Sequence, residues 1–404
     1  MNKAICLYLH VHQPYRVRHY SVFDTGQNHN YFYMDENHPD LNNQDVLRKV
    51  AHKSYIPTNQ RLLRMLQRHP DFCLSLSMTG TLLEQLEQWA PEALESFKQL
   101  AATGRVEFLC ETYHHSLAFF YSRFEFEKQV RMHLEKIYAT FGQVPKVFRN
   151  TELSYNNDLA LWADKVGFKG IITEGWDKVL GWRSSNHVYR PVHTEQIRLL
   201  MKNYKLSDDV AFRFSDRNWA EWPLTTEKFV HWINSNDDAE VINLFMDYET
   251  FGEHQWHETG IFDFLEHLPR EFTQFDGNRF LTPTQVIASF EAKDTIDVPE
   301  TITWADTERD LSAWLGNSMQ QEAINAIYQM ENDVLETGDH ELINDWRRLQ
   351  TSDHFYYMCT KWFNDGDIHA YFSPYESPYD GFIAFMNVLR DLRVRIDIIK
   401  AGKR

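Results

Sequence analysis

Two stretches of this chain end an apolar run on a carboxylate. Val241-Ile-Asn-Leu-Phe-Met-Asp-Tyr-Glu-Thr-Phe-Gly-Glu-His-Gln-Trp256 starts as a buried strand and then gathers Asp247, Tyr248, Glu249, Glu253, His254 and Trp256. Lys146-Val-Phe-Arg-Asn-Thr-Glu-Leu-Ser-Tyr155 repeats the arrangement with Glu152. In a parallel α/β sheet the carboxyl ends of strands open into the loops that bind ligands. Incidental charge in a solvated loop would explain either stretch alone. Two carboxylates from two strand ends suit glycosyl transfer, where one group protonates a leaving oxygen and the other attacks carbon.

The elements that must position these groups are legible as apolar runs. Ala4–Leu9, Phe72–Ser77, Arg105–Glu111, Val144–Asn150, Gly170–Thr173, Gln196–Lys202 and Val241–Met246 read as strands, with helical patterns between them over roughly the first 290 residues. That alternation is the pattern of βα units around a parallel sheet or barrel. His10-Val-His-Gln-Pro-Tyr15 follows the first run, and Glu174 follows the fifth. Alternate residues of an extended chain point the same way, so His10 and His12 suit either a metal ion or, with His12 and Gln13, the hydroxyls of a substrate. No third or fourth metal ligand follows from spacing, and no metal is expected. Glu107, inside the third run, reads as a buried acid or a partnered core carboxylate. His114 and His115 divide between substrate contact and structural hydrogen bonding.

Composition narrows the function classes. Net charge is −17, which argues against nucleic acid or an anionic membrane as partner. Aromatic residues make up 15% of the 404, many of them beside polar loop residues, which suits stacking on sugar rings. Cys6, Cys73, Cys110 and Cys359 show no CxxC spacing and read as free buried thiols in a reducing compartment. The short apolar run after Met1 stops at His10, too early for a usual signal peptide, and no apolar stretch reaches about 18 residues. A cytoplasmic protein is expected.

Beyond residue 290 the pattern becomes helical. Trp304-Ala-Asp-Thr-Glu-Arg-Asp-Leu-Ser-Ala-Trp314 opens it, with Thr307 as candidate N-cap, and Glu341–Phe363 and Tyr379–Lys400 continue it. The expected division is therefore a catalytic domain over 1–290 and a helical bundle over 291–404. Trp304, Asp306 and Asp310 precede or join the first turn, where they either reach back to the strand ends or cap the helix.

His12-Gln-Pro14, Phe148-Arg-Asn-Thr-Glu-Leu-Ser-Tyr155, Phe245-Met-Asp-Tyr-Glu-Thr-Phe-Gly-Glu-His254 and Trp304 to Trp314 resemble conserved regions of glycoside hydrolase family 57, most closely its α-amylase-type members. Gly104-Arg-Val-Glu107 is similar to a further region of that family. The resemblance implies a seven-stranded (β/α) barrel with a C-terminal helical bundle and a retaining reaction on α-glucans without a cofactor. It implies Glu152 as nucleophile and Asp247 as acid/base, the latter with a pKa raised by burial or by Glu152. His10, His12, Gln13, Glu107, His115 and Asp306 would then contact substrate, and Trp304 and Trp314 would offer stacking surfaces. A 4-α-glucanotransferase would use the same residues. A metal-dependent deacetylase or mannosidase-like enzyme would use His10, His12 and Asp247 instead, and a carbohydrate-binding protein would need only the aromatics.

Overall fold

Strands form where apolar runs are flanked by turn residues, and each of the seven runs contains one. The computed structural model describes residues 3–33, 35, 38–361 and 368–402. Its strands are β1 (Ala4–Val11), β2 (Leu74–Met78), β3 (Val106–Phe108), β4 (Val147–Arg149), β5 (Gly170–Thr173), β6 (Val188–Pro191), β7 (Arg198–Met201), β8 (Val241–Asp247), β9 (Arg279–Phe280) and β10 (Asp294–Ile296). One sheet runs β3-β2-β1-β8 with β9 also on β1, and a second runs β10-β6-β7-β5-β4. All pairings are parallel except β6 with β7. The architecture is thus α/β, with helices between consecutive parallel strands.

Every residue of β1 is buried, as expected of a parallel strand covered on both faces. Ala4, Cys6 and Tyr8 share a core with Leu109, Val147, Leu153, Ile172, Leu200 and Phe245, which draws on both sheets. A parallel bridge pairs Cys110 with Phe148, and the Asn203 N–H donates to the Asn243 carbonyl at 2.9 Å. The register sets His10 level with Ser77 on one side and Asp247 on the other. The four cysteines are all buried, and none is in a disulfide. Burial pushes the thiol pKa of Cys6, Cys73 and Cys110 upward.

The chain divides into two compact units, and the division differs from a single cut near residue 290. The first holds residues 1–12, 48–111 and 131–304; the second holds 13–47, 112–130 and 305–404. The C-terminal helices therefore share a unit with two segments from the first third of the chain. In that unit Asn317, not Thr307, starts the long helix Ser318–Gln329, through a capping box with Gln320. The segment 341–363 is two helices, His340–Arg348 and Ser352–Tyr356, with residues 362 and 363 outside the described ones. Arg347 grips Glu125 with two bonds of 2.8 and 3.2 Å. Among the described residues no helix is long and apolar enough to cross a membrane.

Candidate active site

The site is built at the carboxyl ends of β1, β4 and β8. Past β4 the backbone turns sharply, and Glu152 sits in the left-handed region at φ 59° with Leu153 at 52°. A non-glycine residue there costs of order 1–3 kcal/mol and persists only where its surroundings hold it. They do so here. Tyr155 and Ile302 exchange backbone hydrogen bonds of 2.9 and 3.0 Å, which carries Trp304 alongside; its N–H reaches the Glu152 carbonyl at 3.3 Å. The Trp304 indole N–H then donates to Glu152 Oε2 at 2.8 Å. Trp304, expected as a stacking surface, holds the strained carboxylate by its edge. The Arg149 guanidinium and the Lys202 ammonium each lie 5.4 Å from its ring centre.

Asp247 ends β8. His10 Nδ1 lies 3.6 Å from its Oδ1, and the Asp247 side chain is 38% exposed. Burial raises its pKa, but the His10 ring outweighs that together with His254 and Arg149, so the carboxyl sits below its ordinary value. This overturns the expectation of a raised pKa in the free protein. The reason is local: three nitrogenous side chains surround the group while water still reaches it. For His254, burial lowers the pKa and the carboxylates of Asp247 and Glu253 only partly oppose it, so the ring is neutral at pH 7.

Behind both carboxylates lies a fully buried network that the sequence reading did not single out. Arg149 Nη1 lies 3.2 Å from Glu111 Oε2, with both side chains at 0% exposure. Glu111 Oε2 also meets His10 Nε2 at 3.2 Å, and Arg149 Nη2 approaches His10 Nδ1 at 3.4 Å. Burial lowers the Arg149 pKa, but Tyr8, Glu111, Glu152 and Asp247 overcome this, so it stays firmly charged. A lone cation in the apolar run Val147-Phe-Arg149 was the available signal, because a charge on a buried strand must find partners. Glu111 closes the third run and offered a similar one.

The remaining expected residues fall in several places. His12 bonds Thr79 through Nδ1 at 2.8 Å, and Thr79 caps the helix Gly80–Trp89. The His12 ring stacks on His10 at 5.8 Å. Glu107 spends both oxygens on Thr284, accepting from its N–H at 3.0 Å and from its hydroxyl, at the start of the helix Pro283–Ser289. Glu174 bonds the next N–H, of Gly175, at 2.6 Å and lies 3.8 Å from Lys202. Gln13, His115, Asp306 and Trp314 belong to the second unit. There Gln13 accepts from Arg16 at 2.9 Å. His115 has φ 51°, and its carbonyl accepts from Ser352 N–H at 2.9 Å. Asp306 pairs with His369 at 3.0 Å and Lys361 at 3.4 Å. Trp314 is 1% exposed and packs near Tyr356 in the helical core, so it offers no open stacking face.

At His10 the permanent charge of Arg149, 3.4 Å from Nδ1, opposes a second cation on that nitrogen. The site offers carboxylates steadied by hydrogen bonds and by imidazole rings. Two such acids at the strand ends of an α/β scaffold suit glycosyl transfer.

Comparison with known proteins agrees. Residues 6–299 match the family described as Glycosyl hydrolase family 57, and the chain belongs to it. A Methanocaldococcus jannaschii protein named "Putative alpha-amylase" is 42% identical over 398 residues, covering 96% of this chain and 83% of that one. Among solved structures, a branching enzyme of this family from Pyrococcus horikoshii superposes with a TM-score of 0.68 at 16% identity, over 89% of this chain and 86% of that chain. The 4-alpha-glucanotransferase from Thermococcus litoralis gives 0.62 at 15% identity over 88% of this chain, which spans 56% of that enzyme's length. At these identities the two structures speak to the fold alone.

Proposed function

We propose that this protein is an α-amylase-like retaining hydrolase of α-glucans or maltooligosaccharides, with Glu152 as nucleophile and Asp247 as acid/base. The observation that carries the reading is the Glu152 carboxylate itself, held in a strained backbone and oriented by the Trp304 N–H at 2.8 Å. A nucleophile benefits from being fixed before substrate arrives. We read β1, β2, β3, β4, β5, β7 and β8 as one seven-stranded (β/α) ring, supported by the backbone contacts at Cys110/Phe148 and Asn203/Asn243. The name of the Methanocaldococcus jannaschii relative supports the α-glucan substrate.

In this mechanism Glu152 attacks the anomeric carbon and Asp247 gives its proton to the departing glycosidic oxygen. Water then enters, Asp247 takes its proton, and the sugar leaves with retained configuration. In the free site Asp247 is ionised, which suits the second half. Its acid form arises when a sugar fills the cleft and takes water from the exposed part of the side chain, strengthening the burial that already pushes the pKa up. His10, 3.6 Å from Asp247 Oδ1 and 3.2 Å from Glu111 Oε2, steadies the ionised Asp247. The backbone and buried groups of the first unit do the positioning, and no cofactor enters the scheme.

The test is maltoheptaose digestion followed by proton NMR. The reading expects shortened maltooligosaccharides released first as the α-anomer. Release of the β-anomer would overturn the retaining step. Products longer than the substrate would replace hydrolysis by transfer. Inert α-glucans would overturn the substrate class.

A further inference from the structure

The glycosidase chemistry leaves a group of side chains in the second unit without a use. His19, Asp35 and His38 each offer one ligand atom, and these atoms all lie within 4.8 Å of one another. His38 Nδ1 is 3.0 Å from Asp35 Oδ1, and His19 Nδ1 is 3.6 Å from Asp35 Oδ2. The Asp35 side chain is buried at 7% exposure while both imidazoles are 38% exposed. His19 Nδ1 is itself screened from solvent and makes no hydrogen bond among the described residues. The carboxylate is held in place from behind. The His19 backbone N–H donates to its Oδ2 at 3.0 Å, and the Asp35 N–H donates to Asn42 Oδ1 at 2.5 Å.

We propose that His19, Asp35 and His38 bind a divalent d-block cation, with zinc as the fitting occupant. Zinc takes imidazole nitrogen and carboxylate oxygen at about 2.0–2.2 Å in tetrahedral geometry, which sets neighbouring ligand atoms about 3.3–3.5 Å apart. The two observed separations straddle that spacing. Calcium and magnesium prefer all-oxygen ligands, so two imidazoles select against them. One carboxylate and two neutral rings leave the ion a net charge of about +1, and the exposed side leaves water as the fourth ligand. The rings now stack with centres 3.8 Å apart and planes at 21°. Coordination opens that stack, because each lone pair lies in its ring plane and must face the ion. Both histidines are exposed enough to turn. As the metal takes His38 Nδ1, the ring's proton shifts from Nδ1 to Nε2, and the ring stays neutral. Bound zinc would tie residue 19 to residues 35 and 38, closing a long polar loop that has few regular elements of its own.

The test uses full-length, tag-free protein stripped with a chelator and then titrated with zinc, by calorimetry, and with cobalt, by visible absorption. The proposal expects one equivalent of tightly bound zinc, the visible bands of tetrahedral cobalt, and a rise in Tm on loading. His19→Ala/His38→Ala and the milder Asp35→Asn should each lose the stoichiometric phase and the Tm rise. Their metal-free Tm should match that of metal-free wild type, which separates lost ligation from misfolding. Initial rates on maltooligosaccharide should be the same for stripped and loaded wild type, since the site does not serve Glu152 or Asp247. Only weak, multi-equivalent binding, or stoichiometric binding that survives in the double variant, would overturn it.

Discussion

Each unit of the protein buries an arginine against a glutamate, and the two pairs are built differently. In the second unit Arg347 meets Glu125 with two bonds, and Glu125 also accepts from Gln129 at 3.0 Å. That carboxylate is held by side chains of its own unit. In the first unit Arg149 reaches Glu111 at 3.2 Å and lends its charge to His10, Glu152 and Asp247 as well. A two-bond pair is a fastener. A guanidinium shared among three acids and an imidazole is an electrostatic reference for groups that change charge. Buried ion pairs contribute little net stability, because desolvation offsets their attraction. The shared one is therefore better explained by the reaction than by the fold.

The largest effects should come from the acids that the shared arginine serves. Asp247→Asn should lower the rate on natural α-glucans by roughly 10²–10⁴-fold, the range of an acid–base contribution. The loss should be much smaller on α-glucosyl fluoride, whose leaving group needs little protonation. Glu152→Gln should abolish turnover of both substrates. Azide should rescue Asp247→Asn with retained configuration and Glu152→Ala with inverted configuration. The reverse pattern would exchange the two roles.

The next test sets the two pairs against each other. Arg149→Met and Arg347→Met each strand a buried carboxylate, and each should cost about 3–5 kcal/mol in denaturant unfolding. Replacing both partners should recover much of that loss in either unit. Glu125→Leu/Arg347→Met should then hydrolyse glucan normally per folded molecule, whereas Glu111→Leu/Arg149→Met should stay inactive. Equal activity in the two double variants would erase the distinction drawn here. A smaller effect belongs to Trp304→Phe, which keeps a ring between Arg149 and Lys202 but removes the N–H on Glu152. A hydrogen bond to a charged group is worth about 1.5–3 kcal/mol, so kcat should fall roughly 10–100-fold with little change in KM.

The smallest effect should be a pH dependence that differs in sign between the units. Burial lowers the His369 pKa, but Asp306 and Cys359 outweigh it and raise it to about 9. A folded-state value above the unfolded 6.5 means stability that is complete below pH 6.5 and lost as pH rises towards 9. Asp247 works the other way. Its folded value is below 3.8, so its contribution is complete above the unfolded value and lost as pH falls through the folded one. Asp306→Asn should flatten the alkaline decline of Tm and leave the acid side alone.

The parts of this design that sequence discloses follow from periodicity and punctuation. Each apolar run held a strand because its short length and flanking turn residues suit a covered parallel strand, and Glu152 and Asp247 stood out because they follow or end those runs. Trp314, by contrast, was assigned to sugar stacking by the resemblance, yet it is buried near Tyr356 among the helices. Glu107 read as either a buried acid or a partnered core carboxylate, and its partner is the first turn of a helix far along the chain, at Thr284. Arg149 went unnoticed because its partners come from β1, β8 and the end of the third run, a meeting that no local pattern records. The interleaved units escaped notice for the same reason: residues 13–47 and 112–130 carry no compositional mark of the helices they join.

The buried thiols have a practical consequence. Cys6, Cys73 and Cys110 lie in the first unit and Cys359 in the second, and all four are shielded thiols outside any disulfide. An alkylating reagent can reach them only when the surrounding structure opens, so each modification is a time stamp on that opening. Mass spectrometry of partly labelled protein would give the two units separate clocks without an engineered probe. Coincident labelling of Cys359 with the other three would mean the units come apart as one cooperative body, and early labelling of Cys359 would mean the helical unit yields first.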